Sequence, residues 1–160
     1  MEENKICSFF GHREIERTED LYRRTENEIR KLIDSGYRVF YFGGYGDFDA
    51  LCYEIVNRIK EEPERDIQRV YCVAQEQYLR KKSRYFRKED YDEIIYLIPS
   101  FNGWYKSIYY RNCAMIDESQ TVLFYAEARK DSGAYKAYRY AKTKQNKTII
   151  NLWQKKNKKE

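Results

Sequence analysis

Strand-like and helix-like runs alternate along this chain, and that alternation limits its possible folds more than any single motif does. KICSFF, YRVFYF, IQRVYCVA, DEIIYLIP, TVLFYA and KTIINLW are short, apolar and rich in β-branched and aromatic residues, as buried strands are. Between them lie stretches whose apolar residues recur three and four apart. In the first, Thr18 stands at an N-cap position, Glu19 and Asp20 fill the first turn, Leu21, Thr25, Ile29, Leu32 and Ile33 share one face, and Gly36 marks the stop. From Phe48 to Glu61, Leu51, Cys52, Ile55, Val56 and Ile59 give a second amphipathic helix, ended by Pro63. Trp104 to Glu118 carries Ile108, Met115 and Ile116 at helical spacing, and SGAYKAYRYAKTKQ opens a further helix on a small-residue turn. Residues 75–90 read as a short helix or an excursion over the surface.

Strands joined by helical crossovers run parallel and need a helical layer on both faces of their sheet. The expected fold is therefore α/β, a Rossmann-like three-layer α/β/α sandwich with a mainly parallel sheet of about five strands. At 160 residues the chain suits one core, and a single domain is expected over 1–153, with 154–160 a basic, flexible tail. With 42% hydrophobic and 36% charged residues the composition is that of a packed globular protein.

No apolar run reaches the roughly 20 residues that span a bilayer, and the charged N-terminus lacks a signal-peptide pattern, so a cytoplasmic protein without a membrane partner is expected. Cys7, Cys52, Cys72 and Cys113 are far apart and form no CxxC pair, which fits reduced core thiols and predicts no metal site. The net charge of +5 has an evident source in the terminal KKNKKE, while other basic clusters alternate with acids, as in RTEDLYRRTENEIRK. Nucleic acid is not the expected partner on that reading, and most of the 17 tyrosines are read as core edges and amphipathic surface.

In parallel sheets, ligands bind outside the carboxyl ends of the strands. Three loops leaving strands hold unusual residues: GHR, GGYGDFD and EARKDSGA. Gly43, Gly44 and Gly46 permit left-handed backbone and close approach, and a strand-to-helix turn can present amides to an anion. The spacing is neither GxGxxG nor a P-loop, so no nicotinamide cofactor or triphosphate hydrolysis follows, and no cofactor is expected. One of Asp47 and Asp49 is expected to cap the following helix, leaving the other to accept from a ribose hydroxyl. Arg13 offers a planar fork for phosphate, or pairs with Glu14 or Glu16 to steady its loop. His12, the sole histidine, serves a ligand or a structural hydrogen bond. No nucleophile with an adjacent base is visible.

FFGHRE, YFGGYGDFD, YYRNCAMIDES, TVLFYA and GAYKAYRYAKTKQNKTIINL, in this order across nearly the whole chain, resemble the YpsA/YoqJ-like branch of the SLOG superfamily, relatives of DprA and of the LOG phosphoribohydrolases. The resemblance implies a Rossmann-like fold and a pocket for a nucleotide or nucleotide-derived ligand. Carried over by position, it selects Gly11, His12 and Arg13; Gly43, Gly44, Tyr45, Gly46 and Asp49; Arg111 and Asn112; and Ser132, Gly133 and Ala134. For Arg111 and Asn112 a helix surface or a bond to a neighbouring loop stands as the alternative. The LOG pattern PGGxGTxxE has no counterpart here: DSGAYKAYR lacks the glutamate, and Tyr135 or Lys136 does not replace it. The expected function is a sensor or sequestering module for a nucleotide-derived small molecule. The alternatives are a nucleotide N-glycosidase using Asp49, and nucleic-acid binding through residues 80–88 and the tail. A homodimer fits the family.

Overall fold

The computed structural model describes residues 5–79, 87–99 and 103–155. The turn SFN at 100–102, most of the stretch 80–88 and most of the tail lie outside them. Six strands form one sheet: β1 (Ile6–Gly11), β2 (Val39–Phe42), β3 (Gln68–Cys72), β4 (Glu93–Ile95), β5 (Thr121–Tyr125) and β6 (Thr148–Asn151). Their order is β4-β3-β2-β1-β5-β6 and every pairing is parallel. The expected mainly parallel sheet of about five strands is thus an all-parallel sheet of six, because the three-residue β4 still completes an edge.

Four helices cover it: α1 (Glu19–Asp34), α2 (Asp47–Lys60), α3 (Trp104–Glu118) and α4 (Gly133–Lys142). Side-chain alternation along the strands sorts them into two layers. Cys7, Phe9, Phe40, Phe42 and Leu123 point into a core with Ile29, Ile33, Leu51, Ile55 and Ile59 of α1 and α2. Phe10, Tyr41, Val70, Cys72, Val122 and Phe124 point the other way, onto Met115 and Ile116 of α3 and Ala134, Ala137 and Ala141 of α4. The alanines on α4 let that helix lie close to the sheet. All four cysteines are buried free thiols.

α1 begins where the local chemistry dictates: Thr18 Oγ1 accepts from the Leu21 amide at 3.0 Å. Gly36 follows the helix with a left-handed φ of +100°. The ambiguous stretch 75–90 resolves, in its described parts, into two single 3-10 turns, Glu76–Leu79 and Lys88–Asp90. No helix of the described residues is long and apolar enough to cross a membrane.

Candidate functional site

Strand order reverses between β1 and β5, so the crevice of this sheet opens where those two strands end. His12 stands there, only 4% exposed. Its amide donates to Tyr125 O at 3.2 Å, its Nε2 accepts from the Glu127 amide at 2.7 Å, and its Nδ1 meets Ser132 Oγ at 3.1 Å. An N–H that donates to Nε2 requires that nitrogen to be bare, so the ring is neutral and its proton sits on Nδ1, directed at Ser132. Burial, reinforced by the Arg129 charge, lowers the His12 pKa and holds that neutral form. Ser132 Oγ in turn accepts from the Tyr135 amide at 3.2 Å as the N-cap of α4. His12 is thus a staple that fixes the β5–α4 turn to the end of β1.

The following residue ties the same node to the glycine loop. Arg13 O accepts from the Asp47 amide at 2.8 Å, and Asp47 Oδ2 accepts from the Ile15 amide at 3.2 Å. Gly44 and Gly46 take left-handed φ values of +72° and +99°. A Cβ on Gly46 would also lie 3.2 Å from Arg13 Cα. Gly11 and Gly43 are required for a different reason: a Cβ would stand 2.3 Å from Phe48 Cβ at Gly11 and 2.8 Å from Arg111 Nη2 at Gly43.

Neither aspartate caps α2, against expectation. Its N-cap is Gly46, without a side-chain hydrogen bond. Asp47 serves Ile15 instead, and Asp49 is buried with Oδ1 accepting from the Gly43 amide at 3.1 Å. Burial pushes the Asp49 pKa up to about 7, against the downward pull of the Gly43 and Gly44 amides and of Arg111. A carboxyl folded onto its own loop is not turned toward a ribose.

Arg111 is placed behind the loop. It is 7% exposed; Nη1 donates to Gly43 O and Cys72 O, each at 3.2 Å, and Nε and Nη2 donate to Asn112 Oδ1 at 3.1 and 3.0 Å. Arg111, held by Asn112, therefore clamps the ends of β2 and β3. The alternative left open by the sequence, a bond to a neighbouring loop, describes Arg111, and Asn112 acts through Arg111.

Arg13, Tyr45 and Gly133 face outward. Arg13 is exposed and makes no ion pair among the described residues; its guanidinium lies over the Tyr45 ring, 5.2 Å from the centroid, and Tyr45 is 44% exposed. Neither Glu14 nor Glu16 pairs with it. The two helices that open on this crevice differ in charge: α2 has Asp47 and Asp49 in its first turn, whereas α4 has no acid there. Gly133 is singular. Gly36 and Gly103 are left-handed and the four glycines of the first two loops are fixed as above, but a Cβ on Gly133 would meet no atom within 4 Å and its φ is ordinary. Nothing in the protein's own packing demands a glycine there. The sequence did not reveal the backbone partners that organise the node, Tyr125 O, Glu127 N and Cys72 O, since any residue supplies them.

Strand order and layering define a Rossmann-like α/β protein. No protein-family model and no curated protein matches the chain. Solved structures share its fold. DNA processing protein A (DprA) from Streptococcus pneumoniae superposes with a TM-score of 0.65 at 14% identity, covering 91% of this chain and 49% of that one. The DprA of Helicobacter pylori, described for its mode of binding single-stranded DNA, gives 0.58 at 18% identity over 91% of this chain and 64% of that one. The protein TM1055 gives 0.54 at 12% identity, with 91% and 72% covered. The chain thus spans about half of the pneumococcal protein and under two thirds of the second. The expectation that nucleic acid is no partner gains no support from a neighbour that binds it.

Proposed function

We propose that this protein is a SLOG-type, YpsA-like module that binds a nucleotide or nucleotide-derived small molecule across the end of β1. The phosphate lies over Gly133 and the first turn of α4, within reach of Arg13. Gly133 carries the reading, because a glycine that the protein does not need for itself is explained by close approach of something else. Charge sets the polarity of the ligand. An anion is favoured at the N-terminus of a helix whose first turn holds no acid, and Asp47 in the first turn of α2 leaves the glycine loop to the uncharged part of the ligand. Tyr45, steadied by Arg13, offers a ring face to a base.

The N-glycosidase alternative loses its acid, since Asp49 is spent on the loop amide and α4 brings no carboxylate in its place. No free base should be released from purine nucleoside monophosphates above the uncatalysed background, as checked by chromatography of the reaction mixture.

Mass spectrometry of small molecules released from the purified, heat-denatured protein tests the binding. A phosphorylated nucleoside-type compound is expected from the wild type, with at least tenfold less from Arg13→Ala and from Gly133→Ala. Gly133→Ala should melt no lower than wild type, since alanine is the better helix residue by about 0.5–1 kcal/mol. Equal ligand content in wild type and Gly133→Ala would remove the phosphate from α4.

A further inference from the structure

A groove runs between α3 and α4. It encloses about 540 Å³ and is lined by Tyr109, Lys136, Arg139, Tyr140 and Thr143. Positions 136, 139, 140 and 143 recur three and four apart, so α4 presents them along one edge. From Ser132 to Thr148 the chain holds five cations, Lys136, Arg139, Lys142, Lys144 and Lys147, and no carboxylate. Lys136 and Arg139 make no ion pair among the described residues. The neighbouring acid on α3, Asp117, is already engaged, by Lys144 Nζ at 3.3 Å and by the Tyr140 hydroxyl at 2.7 Å. On α3, Tyr109 is 37% exposed, and one turn earlier Tyr105 is 85% exposed. Positive charge is therefore gathered here as well as in the tail, on a folded surface and between tyrosine rings.

We infer that this groove is a track for single-stranded nucleic acid, with Lys136 and Arg139 on phosphates and Tyr109 stacking on a base. The charge is complementary to a polyanion, and exposed aromatic faces beside unpaired cations are what unpaired bases on a phosphate backbone use. A second copy of the chain is disfavoured by the same charge, because pairing this groove about a two-fold axis would bring two such clusters of cations together. An acidic polypeptide would satisfy the cations and leave the rings without a role. The groove shares Lys136, at the end of the first turn of α4, with the small-molecule reading, whereas Arg139, Tyr140 and Tyr109 belong to the groove alone.

The test is fluorescence anisotropy of a labelled oligothymidine of about 20 nucleotides with the full chain at about 50 mM salt, and then over rising salt. Wild type is expected to bind. The double variant Lys136→Glu, Arg139→Glu should bind at least tenfold more weakly, with the slope of log affinity against log salt shallower by about 1.4, roughly 0.7 for each phosphate no longer neutralised. Tyr109→Ala should cost about tenfold, the range of one stacked base, at an unchanged salt slope. Arg13→Ala should bind as wild type does, and circular dichroism should report the same fold for all. The inference is overturned if wild type does not bind, if Tyr109→Ala binds normally, or if polyglutamate of equal charge competes as well as the oligonucleotide. It fails too if Arg13→Ala loses as much as the groove variants, which would put the strand in the crevice.

Discussion

Arg111→Ala is expected to lower the melting temperature by about 10 °C, with the loss appearing whether or not ligand is present. The Arg111 guanidinium is buried and donates to Gly43 O, Cys72 O and Asn112 Oδ1. Removing it leaves these acceptors without their donor, at about 1–3 kcal/mol for each buried group that water cannot reach. It also opens a cavity behind the glycine loop and takes away the charge that eases the buried Asp49 carboxyl. Partial relaxation holds the sum to about 3–5 kcal/mol, and a domain of this size shifts by roughly 2–4 °C for each of those. Arg111→Met refills the volume without the donors and should recover less than half of the loss. Differential scanning calorimetry in the presence and absence of the released ligand separates the roles. A variant that melts like wild type but has lost its ligand-dependent shift would return Arg111 to the ligand and cancel its part as a clamp.

That division between clamp and ligand-facing residue was only half legible in the sequence. Periodicity locates all six strands and four helices, and the N-cap Thr18 and stop Gly36 of α1 come directly from side-chain chemistry. The crevice loops are legible for the same reason, since glycines and charges after parallel strands stand out in a chain with only seven glycines. The direction in which Arg111, Asp49 and His12 turn was not. Each bonds to backbone groups of residues elsewhere in the chain, such as Cys72 O, Gly43 N and Glu127 N, and a backbone amide or carbonyl leaves no mark on residue type. The basic face of α4 was masked by counting charge along the chain when the helix gathers it in space.

The pH dependence of stability should carry the signature of Asp49. Its carboxyl is pushed up to about 7 by burial, whereas in the unfolded chain it titrates near 3.9. The folded state therefore holds its proton where the unfolded state has released it, and stability falls as pH rises through that window. The slope is about 1.4 kcal/mol per pH unit, roughly 4 kcal/mol in all between pH 4 and 7, and flat above. His12 works in the opposite sense. Its pKa is lowered in the fold, so its contribution is present above the unfolded value near 6.5 and is lost as pH falls through the folded one. The two must be separated by difference. Asp49→Asn keeps an oxygen for the Gly43 amide and removes the titration, and the attraction of Arg111 is already contained in the folded value. Urea denaturation of wild type and Asp49→Asn at half-unit steps from about pH 4 to 8 should show the variant gaining on wild type by several kcal/mol across this range, with most of the gain complete by pH 7. Parallel curves would mean that the Asp49 carboxylate is ionised throughout. Arg111 would then be its counter-charge, as well as the clamp on Gly43 and Cys72.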